Sequence, residues 1–438
     1  MELVIASSPL DSGICCWDLE SGAEQLRYKS CNSSVHGLIC VGGRFLASSQ
    51  VRDKAASSGS ILYWSWNKAQ PEVKSFPELI NPITSNSCGA FLIGGGSNGD
   101  IYYWEVASGR LLKKWHAHYR AVTCLVLSDD ESLLVSGSED GCVRVWNLVD
   151  VMSGNREGNS YLHNFSEHTL RVTDVKLGYG GGCGIIISSS EDRTCKVWST
   201  SKGILLRTIS FPSIIDAVAL DPGEHVFYAG SRDGKIYIAA LNAESSSSSS
   251  YGLHIIGALS GHSKSVACLA LNLDGNLLVS GSVDGTVRIW DTRAQQIIRI
   301  LMHSKGPVNN VIVVRRALLN PQTSVNAKAS KRASLLPPPL HRQIDSEGDD
   351  VDLNHMIAPP QASCESRDAL CCSYPLMMQQ CNELKQEGSV VLKLDHQRSL
   401  QMTQEWKKLY EDLYQFCTNE VVDGDETREC KKCRRRQI

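Results

Sequence analysis

The chain has 438 residues, 42% hydrophobic and 21% charged, the mix of a globular protein with room for one large domain or two to three ordinary ones. Its 44 Lys and Arg stand against 47 Asp and Glu, and the formal charge of −3 excludes a strong bulk pull toward nucleic acid or anionic membrane, leaving only local patches. No window approaches the roughly 18 apolar residues of a spanning helix, and the start MELVIASSPLD lacks the basic and apolar regions of a secretory signal, so neither is expected.

In chain order, the first predicted element is the strand within MELVIASS, followed by ICCWDL (14–19), ILYWSW (61–66) and IYYWEV (101–106). Residues 116–150 then read HAHYRAVTCLVLSDDESLLVSGSEDGCVRVWNLVD. Residues 166–199 read SEHTLRVTDVKLGYGGGCGIIISSSEDRTCKVWS, and residues 261–291 read GHSKSVACLALNLDGNLLVSGSVDGTVRIWD. Each long copy has one order: His, alternating strand, turn, short apolar strand with Ser, acidic turn, strand ending in Trp. The strand KIYIAA (235–240) is a weaker copy, which brings the strands of this type to seven. Neighbouring copies lie roughly 40 to 50 residues apart, the period of four-stranded propeller blades.

Alternation places Val287 and Ile289 on one face and Arg288 and Trp290 on the other. The pairs Asp140–Gly141, Asp233–Gly234, Asp284–Gly285 and Asn98–Gly99 are tight-turn signals between antiparallel strands. The start of the chain matches the second strand of a blade. GPVNNVIVVRR (306–316), after the last fourth strand QIIRIL (296–301), matches a first strand. Residues 308–314 are therefore expected to pair with residues 2–7 and close an all-β ring of seven blades, which removes free sheet edges. The six serines of 245–250 fall in a loop before the last strand of the sixth blade.

The propeller is assigned to 1–316. Residues 317–390, with the run Pro337–Pro339 and the acidic IDSEGDD (344–350), read as a mostly disordered linker with a short ordered segment near 370–384. In 391–420 the stretch SLQMTQEWKKLYEDLYQFC reads as an amphipathic helix. Met402, Trp406, Leu409, Leu413 and Phe416 form a heptad seam that needs a partner: the ring's own surface, a second copy or another protein. A basic tail, 421–438, follows.

Three blades carry the residue types of a hydrolase triad together with a Trp: His118, Ser136, Asp140 and Trp146; His168, Ser188, Asp192 and Trp198; His262, Ser280, Asp284 and Trp290. One enzyme rarely needs three copies of a triad, and a nucleophilic serine needs exposure and an oxyanion hole rather than an apolar strand. The four residues resemble the buried tetrad of WD-repeat proteins, which braces a blade from inside. No catalytic residue is assigned and the chain is not expected to be an enzyme. The glycine stretches 94–99 and 178–184 are read as blade turns; neither precedes a helix start or a Lys-Ser/Thr pair, so phosphate binding is rejected. Cys430 and Cys433 have half of a zinc-ribbon spacing and no second pair, so no metal or cofactor is expected. The runs Lys331–Arg332 and KKCRRR (431–436) are candidate import or nucleic-acid patches. The 17 cysteines are scattered, several within apolar strands, and read as reduced thiols.

The opening MELVIASSPLDSGICCWDLESGAEQLRYKSC and the tail LQMTQEWKKLYEDLYQFC resemble the WD-repeat protein 18 family, whose plant members are of the root-initiation-defective type. The resemblance runs the whole length and is weakest in the linker. It implies a non-catalytic subunit of a nuclear complex acting on the pre-60S ribosomal particle. Such a complex supports removal of the second internal transcribed spacer and recruits a midasin-type AAA remodelling ATPase. It further implies links to chromatin and replication licensing and, in plants, to meristem and root development. By the same resemblance the helix of Met402 to Phe416 serves self-association and assembly, as a homodimer within a larger complex built on a helical-repeat scaffold protein. The rival reading is a substrate receptor of a cullin-type ubiquitin ligase or a signalling adaptor, for which Trp290-Asp291-Thr292-Arg293 supplies the Trp-Asp-x-Arg pattern.

Overall fold

The computed structural model describes residues 2–10, 13–50, 59–153, 161–241, 254–303, 306–315 and 336–343. Their strands form seven four-stranded antiparallel sheets, arranged as the blades of a propeller whose first strands adjoin one another around the axis. Blades 2 to 7 occupy 33–75, 80–116, 122–165, 172–210, 215–260 and 266–302.

Blade 1 is shared between the two ends of the ring. Its first strand, Asn310–Arg315, pairs with Glu2–Ser7, Ser7 facing Asn310 and Glu2 facing Arg315. The closing strand starts two residues later than expected, because Val308 and Asn309 form the corner: their amides donate to the carbonyls of Ser282 and Ser7, both at 3.0–3.1 Å. Asn309 and Asn310 then donate through their side-chain amides to the carbonyls of Ser33 and Ser34 in blade 2, both at 2.7 Å. Ring closure is thus a polar lock as well as a strand pair, with the side-chain amides of Asn309 and Asn310 both matched to acceptors.

Each blade is buried on both faces by its neighbours, which is why its strands are apolar on both faces. The core is accordingly seven apolar clusters, one at each interface between adjacent blades. Val287 and Ile289 pack toward blade 1, and Trp290 packs toward blade 6, as the alternation requires. No disulfide joins the described cysteines to one another, and burial pushes the Cys124 thiol up to about 12, which keeps it neutral.

Glycines 94 to 96 are not a turn: they end the second strand of blade 3, Phe91–Gly96. Close packing explains them, since a Cβ on Gly95 would sit 2.7 Å from Val122 and one on Gly94 2.9 Å from the Trp104 ring. The serine run 245–250, the helical seam, Cys430 and Cys433, the basic runs and most of 317–390 lie outside the described residues. Within that linker, however, residues 336–343 are described and Leu336 and Leu340 are buried against the ring. No described helix is long and apolar enough to cross a membrane.

Candidate functional site

The second and third strands of a blade put Ser and Trp side by side on the face toward the preceding blade. The loop entering the blade's first strand brings its His onto them, and the turn between the second and third strands brings Asp. In blade 4, His118 Nδ1 lies 3.2 Å from Asp140 and its Nε2 2.8 Å from Ser136 Oγ, while Trp146 Nε1 lies 2.9 Å from the same Oγ. In blade 5 the distances for His168, Asp192, Ser188 and Trp198 are 2.9, 2.8 and 2.9 Å. In blade 7 they are 2.9, 2.7 and 2.8 Å for His262, Asp284, Ser280 and Trp290. All twelve residues are therefore brought together as three quartets.

Chemistry fixes the direction of each chain. Burial, the largest effect, lowers the pKa of His118, His168 and His262 and keeps the rings neutral. Burial opposes the charged form of Asp140 and Asp284 too, but hydrogen bonds outweigh it and hold both carboxylates down at about 2. A carboxylate only accepts, so Nδ1 donates to Asp; the neutral ring's Nε2 then accepts from the serine hydroxyl, which accepts from the indole N–H. Thr194 and Thr286 add hydroxyl donors to Asp192 and Asp284 at 2.6 Å. Blade 4 has Cys142 at that place and the longest His–Asp contact of the three.

A serine donating to a histidine that donates to an aspartate is also the hydrogen-bond order of a hydrolase. Here Ser136, Ser188 and Ser280 are 0% exposed, so no substrate atom reaches them. What the arrangement does is mechanical: one polar chain ties the loop entering a blade, the turn on its top and its two middle strands.

The other blades keep fragments of this device. In blade 1, His303 and Trp17 remain in edge contact at 6.1 Å, but Ala6 stands where the serine would be. His303 is fully buried and neither ring nitrogen has a hydrogen-bond partner. In blade 2, Cys31 takes the histidine's place 3.6 Å from Ser48. In blade 6, Ala229 and Ala239 replace Ser and Trp, and Tyr237 donates its hydroxyl to Asp233 at 2.7 Å. In blade 3, Gly94 replaces the serine, Tyr102 donates to Glu78, and Trp104 turns its N–H elsewhere.

Sequence reasoning missed a second bracing device. Glu131 and Glu224 sit in left-handed turns at φ 56° and 53° and reach back to the preceding blade. Their carboxylates accept from the amides of Ser87, at 2.7 Å, and Tyr179, at 2.5 Å. Glycine occupies the same turn position in blade 7, as Gly275. Glutamate in a left-handed turn carries no local signal of a contact with another blade.

The model of the WD domain, G-beta repeat, matches residues 109–147, 159–199 and 253–291, the three blades with complete quartets. Over 436 residues the chain is 50% identical to Protein ROOT INITIATION DEFECTIVE 3 of Arabidopsis thaliana, covering 96% of this chain and 98% of the relative. It is 32% identical to human WD repeat-containing protein 18 over 68% of this chain and 69% of that protein. This chain belongs to the WD repeat-containing protein 18 family. A further relative, Pre-rRNA-processing protein IPI3 of Yarrowia lipolytica, is 29% identical over 84% of this chain and 88% of its own length. Within the family's ring, the expected third strands and ring closure are all in place. Among the described residues no group of three or more His, Cys, Asp or Glu is placed to hold a metal.

Proposed function

We propose that this chain is a non-catalytic scaffold subunit of a nuclear pre-60S ribosome assembly complex. In this reading it supports processing of the pre-rRNA internal transcribed spacer and helps recruit a midasin-type AAA ATPase. One observation carries the reading: 50% identity extends over 96% of the chain, so it includes the tail and not only blades that many propellers share. The fungal relative named for pre-rRNA processing supports the ribosomal assignment. The sealed serines support a role without chemistry of its own. Links to chromatin, replication and meristem development belong to the same proposal.

The test is purification of the tagged chain from nuclei, with depletion in parallel. The expected outcome is recovery of pre-60S proteins, a helical-repeat scaffold and the AAA ATPase, with pre-rRNA retaining the second spacer accumulating on depletion. Recovery of a cullin adaptor in their place would overturn the proposal. In the Trp290–Arg293 pattern Arg293 is an exposed turn residue whose amide donates to Asp291 at 2.8 Å, so the purification and not this residue separates the two readings. The proposed homodimer seam of Met402, Trp406, Leu409, Leu413 and Phe416 is tested by light scattering on the full chain. Charge substitutions at Trp406 and Leu413 are expected to halve the mass, and an unchanged mass would count against the seam.

A further inference from the structure

Residues 336–343, LPPPLHRQ, lie against blades 2 and 3. The fourth strand of blade 2, Val73–Ser75, is only three residues long and leaves apolar residues beside it to be covered. Leu336 and Leu340, 7% and 6% exposed, enter the cluster that contains Phe45, Tyr63, Ile80 and Trp104. Between them Pro337, Pro338 and Pro339 have no N–H to satisfy, and each restricts the residue before it to extended backbone. Leucines four apart on a chain stiffened by prolines lose little conformational entropy on docking.

The polar contacts are specific. Leu340 N donates to Ser75 Oγ at 3.0 Å, His341 N donates to the Gly109 carbonyl at 2.7 Å, and Trp104 Nε1 donates to the His341 carbonyl at 3.0 Å. The indole is free to do so because Gly94 offers no hydroxyl. Gly109 is itself required: it holds φ +71°, and a Cβ there would lie 2.4 Å from the Pro339 carbonyl oxygen. Beside the segment runs a cavity of about 450 Å³ lined by Glu72, Val73 and Lys74, and Pro338 and Pro339 face solvent. The segment is therefore laid into a surface groove, its two leucines reaching the apolar cluster between blades 2 and 3 while Pro338 and Pro339 stay outside.

We propose that the groove between blades 2 and 3 is a binding site for a proline peptide bracketed by leucines, Leu-Pro-Pro-Pro-Leu, and that in this chain it is filled in cis by residues 336–343. Cis occupancy raises the effective concentration to about the millimolar range, so a free copy of the peptide has to compete with the tether.

Two measurements on the full-length chain test this. The first is hydrogen exchange across 336–343: the amides of Leu340 and His341 are expected to be protected, and Trp104→Phe is expected to speed His341 exchange about 2- to 12-fold. Exchange at the rate of an open chain in the unmodified protein would overturn the proposal. The second uses a labelled peptide of residues 333–345 and the variant Leu336→Asp/Leu340→Asp, whose own segment is evicted. The peptide is expected to bind the variant at least tenfold tighter than the unmodified chain, and a scrambled peptide is expected not to bind. Equal binding to both proteins, or equal binding of the scrambled peptide, would sink the site. Should the variant fail to fold, the exchange measurement on the unmodified protein still decides.

Discussion

The indole N–H of Trp104 meets the carbonyl of His341, 237 residues further along the chain, at 3.0 Å. In blades 4, 5 and 7 the equivalent indole meets a serine of its own blade ten residues away. A tryptophan kept in place by packing has thus exchanged a local acceptor for a distant one. An indole N–H buried without an acceptor would cost about 1–3 kcal/mol, so the exchange is needed once the serine is lost.

Restoring the serine should therefore fail. Gly94→Ser would place a Cβ 2.8 Å from Ile80 and 2.9 Å from the Trp104 ring. Overpacking of this kind costs about 1–3 kcal/mol. The expected result in scanning calorimetry is a lower Tm, not the gain that completing a quartet would give.

Blade 7 holds the shortest quartet bonds, and its serine serves two partners. Ser280→Ala strands His262 Nε2 and Trp290 Nε1 together, an expected loss of about 1–3 kcal/mol for each buried group. A double-mutant cycle with Trp290→Phe should show strong coupling, because Phe removes the second stranded group. Additive effects would mean that the hydroxyl does not join the two.

Two buried histidines should respond oppositely. His262→Ala breaks a satisfied chain and, at about 2 kcal/mol, should lower Tm by roughly 3 °C for a ring of this size. His303 has no partner for either nitrogen, so His303→Phe removes buried polar atoms without breaking a bond. The expected Tm is unchanged or higher. A drop as large as that of His262→Ala would show that His303 makes bonds in solution.

Acid should weaken the ring in two stages. Folding lowers the pKa of His118, His168, His262 and His303 through burial, so the unfolded chain takes up protons first as pH falls below about 6.5. Their stabilising effect is present above that value and is lost progressively beneath it. Asp140 and Asp284, held at about 2 when folded, add a second loss from about pH 4 down to about 2. Thermal melts between pH 7.5 and 5 should fall monotonically, with a shallower slope for His303→Phe. A flat profile would contradict buried neutral imidazoles.

The blades were legible because their information is local. Asp-Gly turns, alternating strands and a Trp at a fixed place follow from the pleat and from turn sterics within about 40 residues. Closure was legible for a related reason: a surplus first strand at one end and a missing one at the other have a single solution. The starting residue of the closing strand was not, since Val308 and Asn309 are claimed by the corner between blades 7 and 1.

Residues 336–343 were read as part of a linker because a proline run in low-complexity sequence has no periodicity to betray a partner. Their groove exists only where a three-residue outer strand, Gly94 and Gly109 come together in space. By itself the sequence determined the blade, its number and the members of each quartet, since these depend on spacing along one strand pair. Only the tertiary structure decided which buried polar atoms are satisfied. Ser136 completes a chain in blade 4, His303 is left unpaired at the ring's closure, and Trp104 turns to a carbonyl of residue 341. Pairing of a buried group depends on what the fold brings to it, and that partner can come from anywhere in the chain.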